Sequence, residues 1–288
     1  MRNKKTKAEE TKVTILIPTF NRSDYLQEAI QSSLDQTYPC HIIVCDHGST
    51  DDTPEVMKKY KDRVQYVRKE EDFGPHFCWL DGVLHCETEF VKILFDDDWM
   101  EPSFVEKTLP LMKENVGCVI ANAKIHYENG EKKENVRFSN KTGIFGKVLL
   151  ERHLLPSSKV ISPTACLFRK KELIDGIYQG GLPIKGGNYY HGVGPDIFVM
   201  LLCFLRYKKV GFVANYLATF RAHDSSITID AKNNSEKKKN IKKAYREVTE
   251  FYLFLKTFGA IKVLFLIPNR IVLKLLSNSS KLLHKYLK

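Results

Sequence analysis

Three consecutive aspartates, Asp96, Asp97 and Asp98, are the residues whose types and spacing most directly suggest chemistry. They follow residues 89–95, a mostly apolar stretch that predicts a buried strand. Like charges this close repel one another, so packing them at a strand end costs free energy unless a cation lies among them. A divalent ion such as Mg²⁺ binds one or two carboxylates and shares its other positions with water and substrate phosphates. The triplet therefore predicts a metal site, and a solvated acidic turn is the alternative interpretation.

Two more polar clusters follow predicted strands. Residues 13–18 and 42–45 are short apolar runs rich in β-branched side chains, which is typical of buried strands. The clusters that follow them are residues 19–22 and residues 46–53. Ligands of a parallel sheet bind beyond the carboxyl ends of its strands, so all three clusters should meet at one rim. This convergence favours the metal site over the solvated turn.

Helices and strands alternate between these clusters, and this alternation predicts an α/β fold with a mostly parallel central sheet. The remaining elements of the first half are helices from about residue 24, from Pro54, from Pro102 and over residues 77–86, and a strand at residues 64–67. Asp52 or Thr53 is the expected cap of the helix that Pro54 begins.

The second half of the chain is less regular. Strands are predicted at residues 116–127, 161–169 and 210–222, and an apolar helix at residues 196–207 opens with Asp196. Between them, residues 182–195 form a glycine-rich loop that would suit a substrate lid. The aromatic residues of this predicted lid are Tyr189, Tyr190 and His191. An ordinary surface loop is the alternative.

The net charge of +11 is concentrated in the C-terminal tail. Residues 232–288 contain 14 Lys and Arg against three Asp and Glu, whereas residues 1–231 contain 31 of each. A nucleic-acid-binding core should carry its basic residues on one face of the fold, so we expect no nucleic-acid partner. Apolar residues recur at helical spacing among the lysines, which predicts an amphipathic segment on an anionic membrane surface. A helical layer packed on the preceding domain, or an oligomer contact, is the alternative.

The seven cysteines contain no CxxC pair, and most lie in apolar runs, which indicates buried reduced thiols and a reducing compartment. Residues 1–12 are charged and lack the apolar region of a secretory signal. We therefore expect a cytoplasmic protein, peripheral at the inner face of the membrane. The expected organisation is a charged extension at residues 1–11, a domain at 12–231 with halves at 12–115 and 116–231, and a basic helical tail at 232–288.

Four segments in order resemble the successive motifs of family 2 glycosyltransferases, which have the GT-A fold, a nucleotide-sugar-binding α/β sandwich. They are residues 18–22, 46–51, 95–98 and 221–226. The resemblance covers roughly residues 12–228 and implies transfer of a sugar from a nucleotide diphosphate, usually with inversion. The implied acceptor is a hydroxyl of a growing glycan, free or linked to a polyprenyl diphosphate, in capsule, O-antigen or other cell-surface polysaccharide synthesis.

The resemblance also implies roles for individual residues. Asp196 corresponds to the general base, and Mg²⁺ or Mn²⁺ would be held by Asp97, Asp98 and His223. The implied nucleotide-binding residues are Pro18, Thr19, Asn21, Arg22, Asp46, His47, Asp96 and Ser226. Uridine diphosphate is the expected carrier, with a hexosyl or N-acetylhexosaminyl group as the sugar.

Three positions depart from the family pattern. His47 stands where a second aspartate commonly contacts the base, Phe95 where an extended motif begins with an acid, and Pro195 where an acid precedes the base. Two other classes remain open: a sugar-nucleotide nucleotidyltransferase, which shares a related α/β layout, and a non-catalytic glycan- or nucleotide-binding subunit, which these three departures keep possible. The first normally has a glycine-rich phosphate loop near its N-terminus, and residues 19–22 contain no glycine.

Overall fold

The structure is a computed structural model that describes residues 11–128, 134–148, 151, 162–179, 182, 193–223, 226 and 234–258. Its described residues form one mixed sheet with helices on both faces. The predicted lid residues Tyr189, Tyr190 and His191 lie outside the described residues, as does the tail beyond residue 258.

The first half alternates strands and helices as expected. Its elements are β1 (Val13–Thr19), α1 (Ser23–Leu34), β2 (His41–His47), α2 (Thr53–Lys58), β3 (Gln65–Lys69), α3 (Pro75–His85), β4 (Phe90–Ile93), β5 (Trp99–Met100) and α4 (Phe104–Thr108). Strands β1 to β4 pair only in parallel with one another, so their carboxyl ends share one edge.

The second half completes the sheet with mixed pairing. Its elements are β6 (Val116–Tyr127), β7 (Glu134–Val136), β8 (Gly143–Gly146), β9 (Cys166–Arg169), α5 (Lys170–Gly176), α6 (Pro195–Arg206), β10 (Lys209–Ala222) and α7 (Ser235–Phe258). The strand order is β3-β2-β1-β4-β9-β6-β10-β5, with β7 beside β6 and β8 beside β10. Because β9 runs antiparallel to both β4 and β6, the long parallel pair β6–β10 points the same way as the first half.

Two hydrophobic clusters sandwich the sheet. One packs α1 and α4 against the sheet through residues such as Leu26, Ile30 and Phe104. The other packs α3, α5, α6 and α7 against the opposite face, with Trp79 and Phe198 among its members. This layering is the α/β sandwich that the alternating pattern predicts.

Helix α7 packs on this second face. The side chains of Val248 and Tyr252 are fully buried, and Tyr245 and Leu255 pack beside them. For residues 235–258, the apolar stripe therefore faces the domain and not lipid, which corrects the membrane-surface prediction for this part of the tail. Among the described residues, no helix is both long and apolar enough to cross a membrane.

Three local predictions need correction. The predicted strand at 161–169 is extended only from Cys166, because Pro163 to Ala165 form a 3₁₀ turn. Neither Asp52 nor Thr53 caps α2 through its side chain; Asp51 Oδ1 accepts the hydrogen bond from Thr53 N at 3.0 Å instead. The helix expected to begin at Pro102 begins instead at Phe104.

All seven cysteines are free thiols, and all except Cys40 are buried, as the sequence predicts.

Candidate active site

The loop after β1 binds the start of the aspartate triplet. Thr19 Oγ1 donates to Asp96 Oδ2 at 2.8 Å, and Arg22 Nη1 lies 3.1 Å from Asp96 Oδ1 and 2.7 Å from Asp97 Oδ2. Asp96 is only 5% exposed, and burial raises its pKa to about 6. The first and third polar clusters therefore meet at the rim, as the parallel pairing of β1 and β4 requires.

Asp97 also contacts His223, which lies 126 residues further along the chain. His223, which follows β10, places Nε2 3.1 Å from Asp97 Oδ2. Burial favours the neutral acid, but the hydrogen bond from His223 and the charge of Arg22 hold the pKa of Asp97 below its usual value. The Asp97 carboxylate is therefore ionised at neutral pH and lies between an imidazole and a guanidinium.

Asp98 is anchored by the protein on both oxygens. Thr164 Oγ1 donates to Oδ2 at 2.7 Å, and the backbone N–H of Arg221 donates to Oδ1 at 3.0 Å. Burial raises the pKa of Asp98 well above its usual value. Asp98 is therefore a buried support and not the metal ligand that the sequence predicts, whereas the Asp97 side chain is 14% exposed beside the buried ring of His223.

Arg221 ties the end of β10 to the triplet. Its Nε donates to the carbonyl oxygen of Asp97 at 2.9 Å, and its guanidinium also contacts Glu28 and lies 3.4 Å from Glu128 Oε1. The guanidinium lies over the rings of Tyr25 and Trp99, with centroids 5.0 and 4.7 Å away. Arginine suits this position because its planar group can stack and hydrogen-bond at once.

The second polar cluster, residues 46–53, is hydrogen-bonded to the loop after β1. Asn21 has φ of 53°, a left-handed conformation that asparagine tolerates better than most residues. Its backbone N–H donates to Ser49 Oγ at 2.9 Å, and its Oδ1 accepts from Thr50 N at 2.7 Å. Asp51 Oδ2 accepts from Ser23 N at 2.9 Å, so the two loops form one wall of the rim.

Asp46 and His47, at the end of β2, are both inside the protein. Asp46 accepts hydrogen bonds from Ser49 N and Tyr66 OH, and it lies 3.6 Å from Arg68 Nε. His47 is 1% exposed, and neither of its ring nitrogens has a hydrogen-bond partner. The ring contacts Phe77 of α3.

Two further residues that were predicted to bind the nucleotide, Pro18 and Ser226, are buried in the protein. Pro18 is buried in β1 opposite Cys45 of β2. Ser226 is 8% exposed, and its Oγ donates to the carbonyl oxygen of His223 at 2.7 Å. Ser226 thus shapes the turn that carries His223.

Asp196 occupies the first turn of α6. Its Oδ1 accepts from the backbone N–H groups of Gly194 and Ile197, each at 2.8 Å, and its Oδ2 accepts from Tyr245 OH at 2.9 Å. Burial raises the pKa of Asp196 to about 6, although these three hydrogen bonds favour the ionised form. The carboxylate is therefore mostly ionised at pH 7 but can still accept and release a proton.

Two residues that contact the candidate site, Thr164 and Tyr245, were not predicted from the sequence. Thr164 follows a proline in a segment predicted as plain strand, and Tyr245 is part of an apolar stripe. In each case a hydroxyl interrupts an otherwise apolar segment. A buried hydroxyl needs a hydrogen-bond partner, so this interruption is the feature that could have predicted the contact.

Residues 14–176, more than half of the chain, match the family described as Glycosyl transferase family 2. The chain belongs to glycosyl transferase family 2. Among curated relatives of this family 2 member, the uncharacterized glycosyltransferase RT0329 of Rickettsia typhi is 27% identical over 233 residues. That match covers 78% of this chain and 68% of the relative.

A second relative has a named reaction. The GalNAc(5)-diNAcBac-PP-undecaprenol beta-1,3-glucosyltransferase of Campylobacter jejuni is 33% identical over 128 residues, which are 43% of this chain and 41% of that protein. Apart from the R. typhi protein, the first curated relatives match over less than half of their own length.

Solved structures share the fold of this family 2 glycosyltransferase. S. aureus TarS (residues 1–349) in complex with UDP-GlcNAc has a TM-score of 0.59 at 16% identity, covering 86% of this chain and 73% of that one. The mannosyltransferase PcManGT of Pyrobaculum calidifontis, in complex with GDP-Man and Mn²⁺, has a TM-score of 0.53 at 16% identity. The match covers 96% of this chain and 81% of that one. These likenesses confirm the expected GT-A-type sandwich.

The donor chemistry of the rim fits a divalent cation. Asp97 Oδ2 and His223 Nε2 are 3.1 Å apart. Adjacent ligands of an octahedral ion at about 2.1 Å are about 3 Å apart, so the separation would suit one ion that replaces the hydrogen bond between these two atoms. Such an ion would keep most of its positions for water and diphosphate oxygens, because the pair offers only two protein ligands.

Proposed function

We propose that this chain is a metal-dependent, inverting glycosyltransferase that moves a sugar from a nucleotide diphosphate to a glycan hydroxyl. One observation carries the proposal. The rim of the sheet combines the ionised Asp97, the imidazole of His223 and the guanidinium of Arg22, and a separate carboxylate, Asp196, opens α6. The cluster of Asp97, His223 and Arg22 suits the binding of a diphosphate and its metal ion, and Asp196 suits the acceptance of a proton.

Asp97 and His223 would hold the ion, Mg²⁺ or Mn²⁺, and Asp98 would support Asp97 from behind. The ion, when bound, neutralises negative charge that develops on the departing nucleotide diphosphate. Arg22 supplies a further fixed positive charge, since its Nη1 lies 2.7 Å from Asp97 Oδ2 and can turn to a phosphate oxygen. The structure of PcManGT, which contains Mn²⁺, supports a divalent ion in this fold.

Asp196 is the proposed general base. An acceptor hydroxyl is a weak nucleophile, and a carboxylate with a pKa near 6 can take its proton as the hydroxyl attacks the anomeric carbon. A retaining double displacement would require a second carboxylate as nucleophile. Asp96 and Asp98 belong to the triplet that would hold or support the ion, so neither is available as that nucleophile, and a single displacement with inversion is favoured.

A UDP-sugar is the proposed donor, carrying a hexosyl or N-acetylhexosaminyl group. TarS in complex with UDP-GlcNAc supports this choice, while GDP-Man in PcManGT keeps a guanosine donor as the alternative outcome. The proposed acceptor is a bacterial cell-surface glycan linked to a polyprenyl diphosphate. The C. jejuni relative, named for an undecaprenol-linked substrate, supports a lipid-linked acceptor.

A peripheral position at the inner face of the membrane would suit such an acceptor. Residues 259–288 contain six Lys and Arg and no acidic residue, interleaved with apolar residues. Each basic residue near an anionic surface contributes about 1 kcal/mol of attraction. Vesicle co-sedimentation of the full chain at low and high salt tests this, because an electrostatic contact weakens as salt rises.

Calorimetric titration of UDP, GDP and CDP, with and without Mn²⁺, tests the proposed site. We expect one nucleotide to bind only with the ion, and Asp97→Asn to abolish that ion dependence. Asp62→Asn is the matched control, because Asp62 is exposed in the turn between α2 and β3 and should leave binding unchanged. A chain that binds no nucleotide in the presence of Mn²⁺ would instead be a non-catalytic subunit of the same fold.

A further inference from the structure

Cys45, His47 and Cys78 form a buried cluster that the proposed transfer reaction does not use. Cys45 and His47 are two residues apart on β2, so both side chains lie on the same face of the sheet. Cys78 approaches that face from α3, and its Sγ lies 3.3 Å from the carbonyl oxygen of Cys45. One potential ligand atom from each residue lies within 4.8 Å of the other two.

The imidazole of His47 lacks the partners that a buried polar ring needs. It is 1% exposed, and neither nitrogen makes a hydrogen bond within the described residues. An unsatisfied buried polar group costs about 1–3 kcal/mol. Asp72 Oδ1 lies 3.5 Å from Nδ1 without hydrogen-bonding geometry, so the ring is close to a carboxylate that could orient it. Burial also lowers the pKa of His47, which keeps the ring neutral and able to donate a lone pair.

We propose that Cys45, His47 and Cys78 bind one Zn²⁺ ion. Zinc favours two thiolates and an imidazole at about 2.3 and 2.0 Å, which brings adjacent ligand atoms to about 3.5–3.8 Å in a tetrahedron. The three ligand atoms lie within 4.8 Å of one another, so binding would draw them together by about 1 Å. Asp81 is the candidate fourth ligand, because its Oδ2 lies 3.8 Å from Cys45 Sγ, and Asp72 would orient His47 from outside.

Charge and proton balance are consistent with this ion. Each thiol releases its proton to solvent when the sulfur binds, so two thiolates neutralise the two positive charges of the ion. Lys69 Nζ lies 3.2 Å from Asp81 Oδ1 and balances the charge of the candidate fourth ligand. Without an ion, burial raises the pKa of Cys78 well above its usual value and keeps that thiol protonated. The ion would join β2 to α3 directly beneath the loop at residues 46–53. It shares no ligand with the proposed Mg²⁺ or Mn²⁺ site and does not depend on the proposed transfer.

Metal analysis of the full chain, purified from zinc-supplemented cells without chelator, is the first test. We expect about one zinc per chain, as a single tetrahedral site requires. Cys78→Ala should lose this zinc, and Cys118→Ala should keep it. Cys118 is the matched control because its thiol is also buried and hydrogen-bonds a second thiol, that of Cys203, but it is not part of the cluster of Cys45, His47 and Cys78.

Cobalt substitution tests the wild-type chain without any variant. After chelation, added Co²⁺ should produce a sulfur-to-cobalt charge-transfer band, which an ion at Asp97 cannot produce because that site offers no sulfur. The band should persist in Asp97→Asn. Less than a tenth of an equivalent of zinc together with no such band would overturn the proposal. Zinc that survives Cys78→Ala, or a disulfide between Cys45 and Cys78 in the purified chain, would overturn it as well.

Discussion

Tyr245→Phe should shift the pH dependence of the reaction while leaving the fold intact. Tyr245 lies on α7, 49 residues after the proposed base, and its hydroxyl donates to Asp196 Oδ2 at 2.9 Å. The hydroxyl stabilises the ionised form of Asp196, so its loss should raise the pKa of that carboxylate. A base with a higher pKa is protonated at higher pH, and activity should therefore be lost earlier as the pH falls.

The size of the shift follows from the strength of one hydrogen bond to a charged group. Such bonds contribute about 1.5–3 kcal/mol, and about 1.4 kcal/mol corresponds to one pKa unit. The pKa of Asp196 is about 6 in the wild-type structure. Taking the lower figure, we expect a pKa of about 7 in the variant, so the ionised fraction at pH 6 falls from about one half to about one tenth. This predicts a roughly fivefold loss of kcat/KM at pH 6 and almost none at pH 8.5.

The assay is kcat/KM against pH, because its acid limb reports the pKa of the base in the free enzyme. Tyr252→Phe is the matched control. Tyr252 lies on the same helix and is fully buried, but its hydroxyl contacts Glu151 and not Asp196. This control removes a buried hydroxyl from α7, so it should lower stability without moving the acid limb.

Two results would refute the reasoning in different ways. If Asp196→Asn retains wild-type activity, Asp196 is not the base. If Asp196→Asn is inactive but Tyr245→Phe has the wild-type acid limb, the base is correct and Tyr245 does not tune it. A uniform loss of activity at every pH in Tyr245→Phe would indicate a merely structural contact.

Two stability predictions follow from close contacts near the site. Thr164→Val removes the hydrogen bond to the buried Asp98, so urea unfolding should give a free energy lower by about 1–3 kcal/mol; an unchanged midpoint would contradict the anchoring of Asp98. Gly176→Ala would place a Cβ 2.9 Å from the backbone Cα of Val199, so α5 and α6 must separate at a cost of about 1–3 kcal/mol. Gly146→Ala, where a Cβ would meet nothing within 4 Å, should leave the unfolding midpoint unchanged and is the control for this second variant.

The parallel half of the fold could be predicted from the sequence because each of its elements carries a local signal. Residues 13–18 and 42–45 are apolar and β-branched, and each is followed by polar residues and then a helical pattern. Parallel pairing then brings the clusters to one rim without further information. The contact of Thr19 and Arg22 with Asp96 is thus a consequence of strand order.

The second half could not be predicted as well, because its contacts depend on how β9 inserts between β4 and β6. That insertion brings Thr164 to Asp98, 66 residues away, and to Lys92. Lys92 lies in the strand that the sequence presents as apolar, yet it is fully buried and donates to backbone carbonyls of Thr164 and Ile93. No periodicity identifies such pairs, since they exist only after the chain has folded.

The stripe on α7 shows why amphipathicity alone could not decide between lipid and protein. An apolar helical face buries equally well against either, so the pattern predicts the face and not its partner. In the structure this face packs against the domain: Val248 and Tyr252 are buried there, and the Tyr245 hydroxyl donates a hydrogen bond to Asp196. Lifting this face into a bilayer would expose the core and release the proposed base. Any membrane contact of α7 must therefore be electrostatic, through exposed basic residues such as Lys239 and Arg246 on its other side.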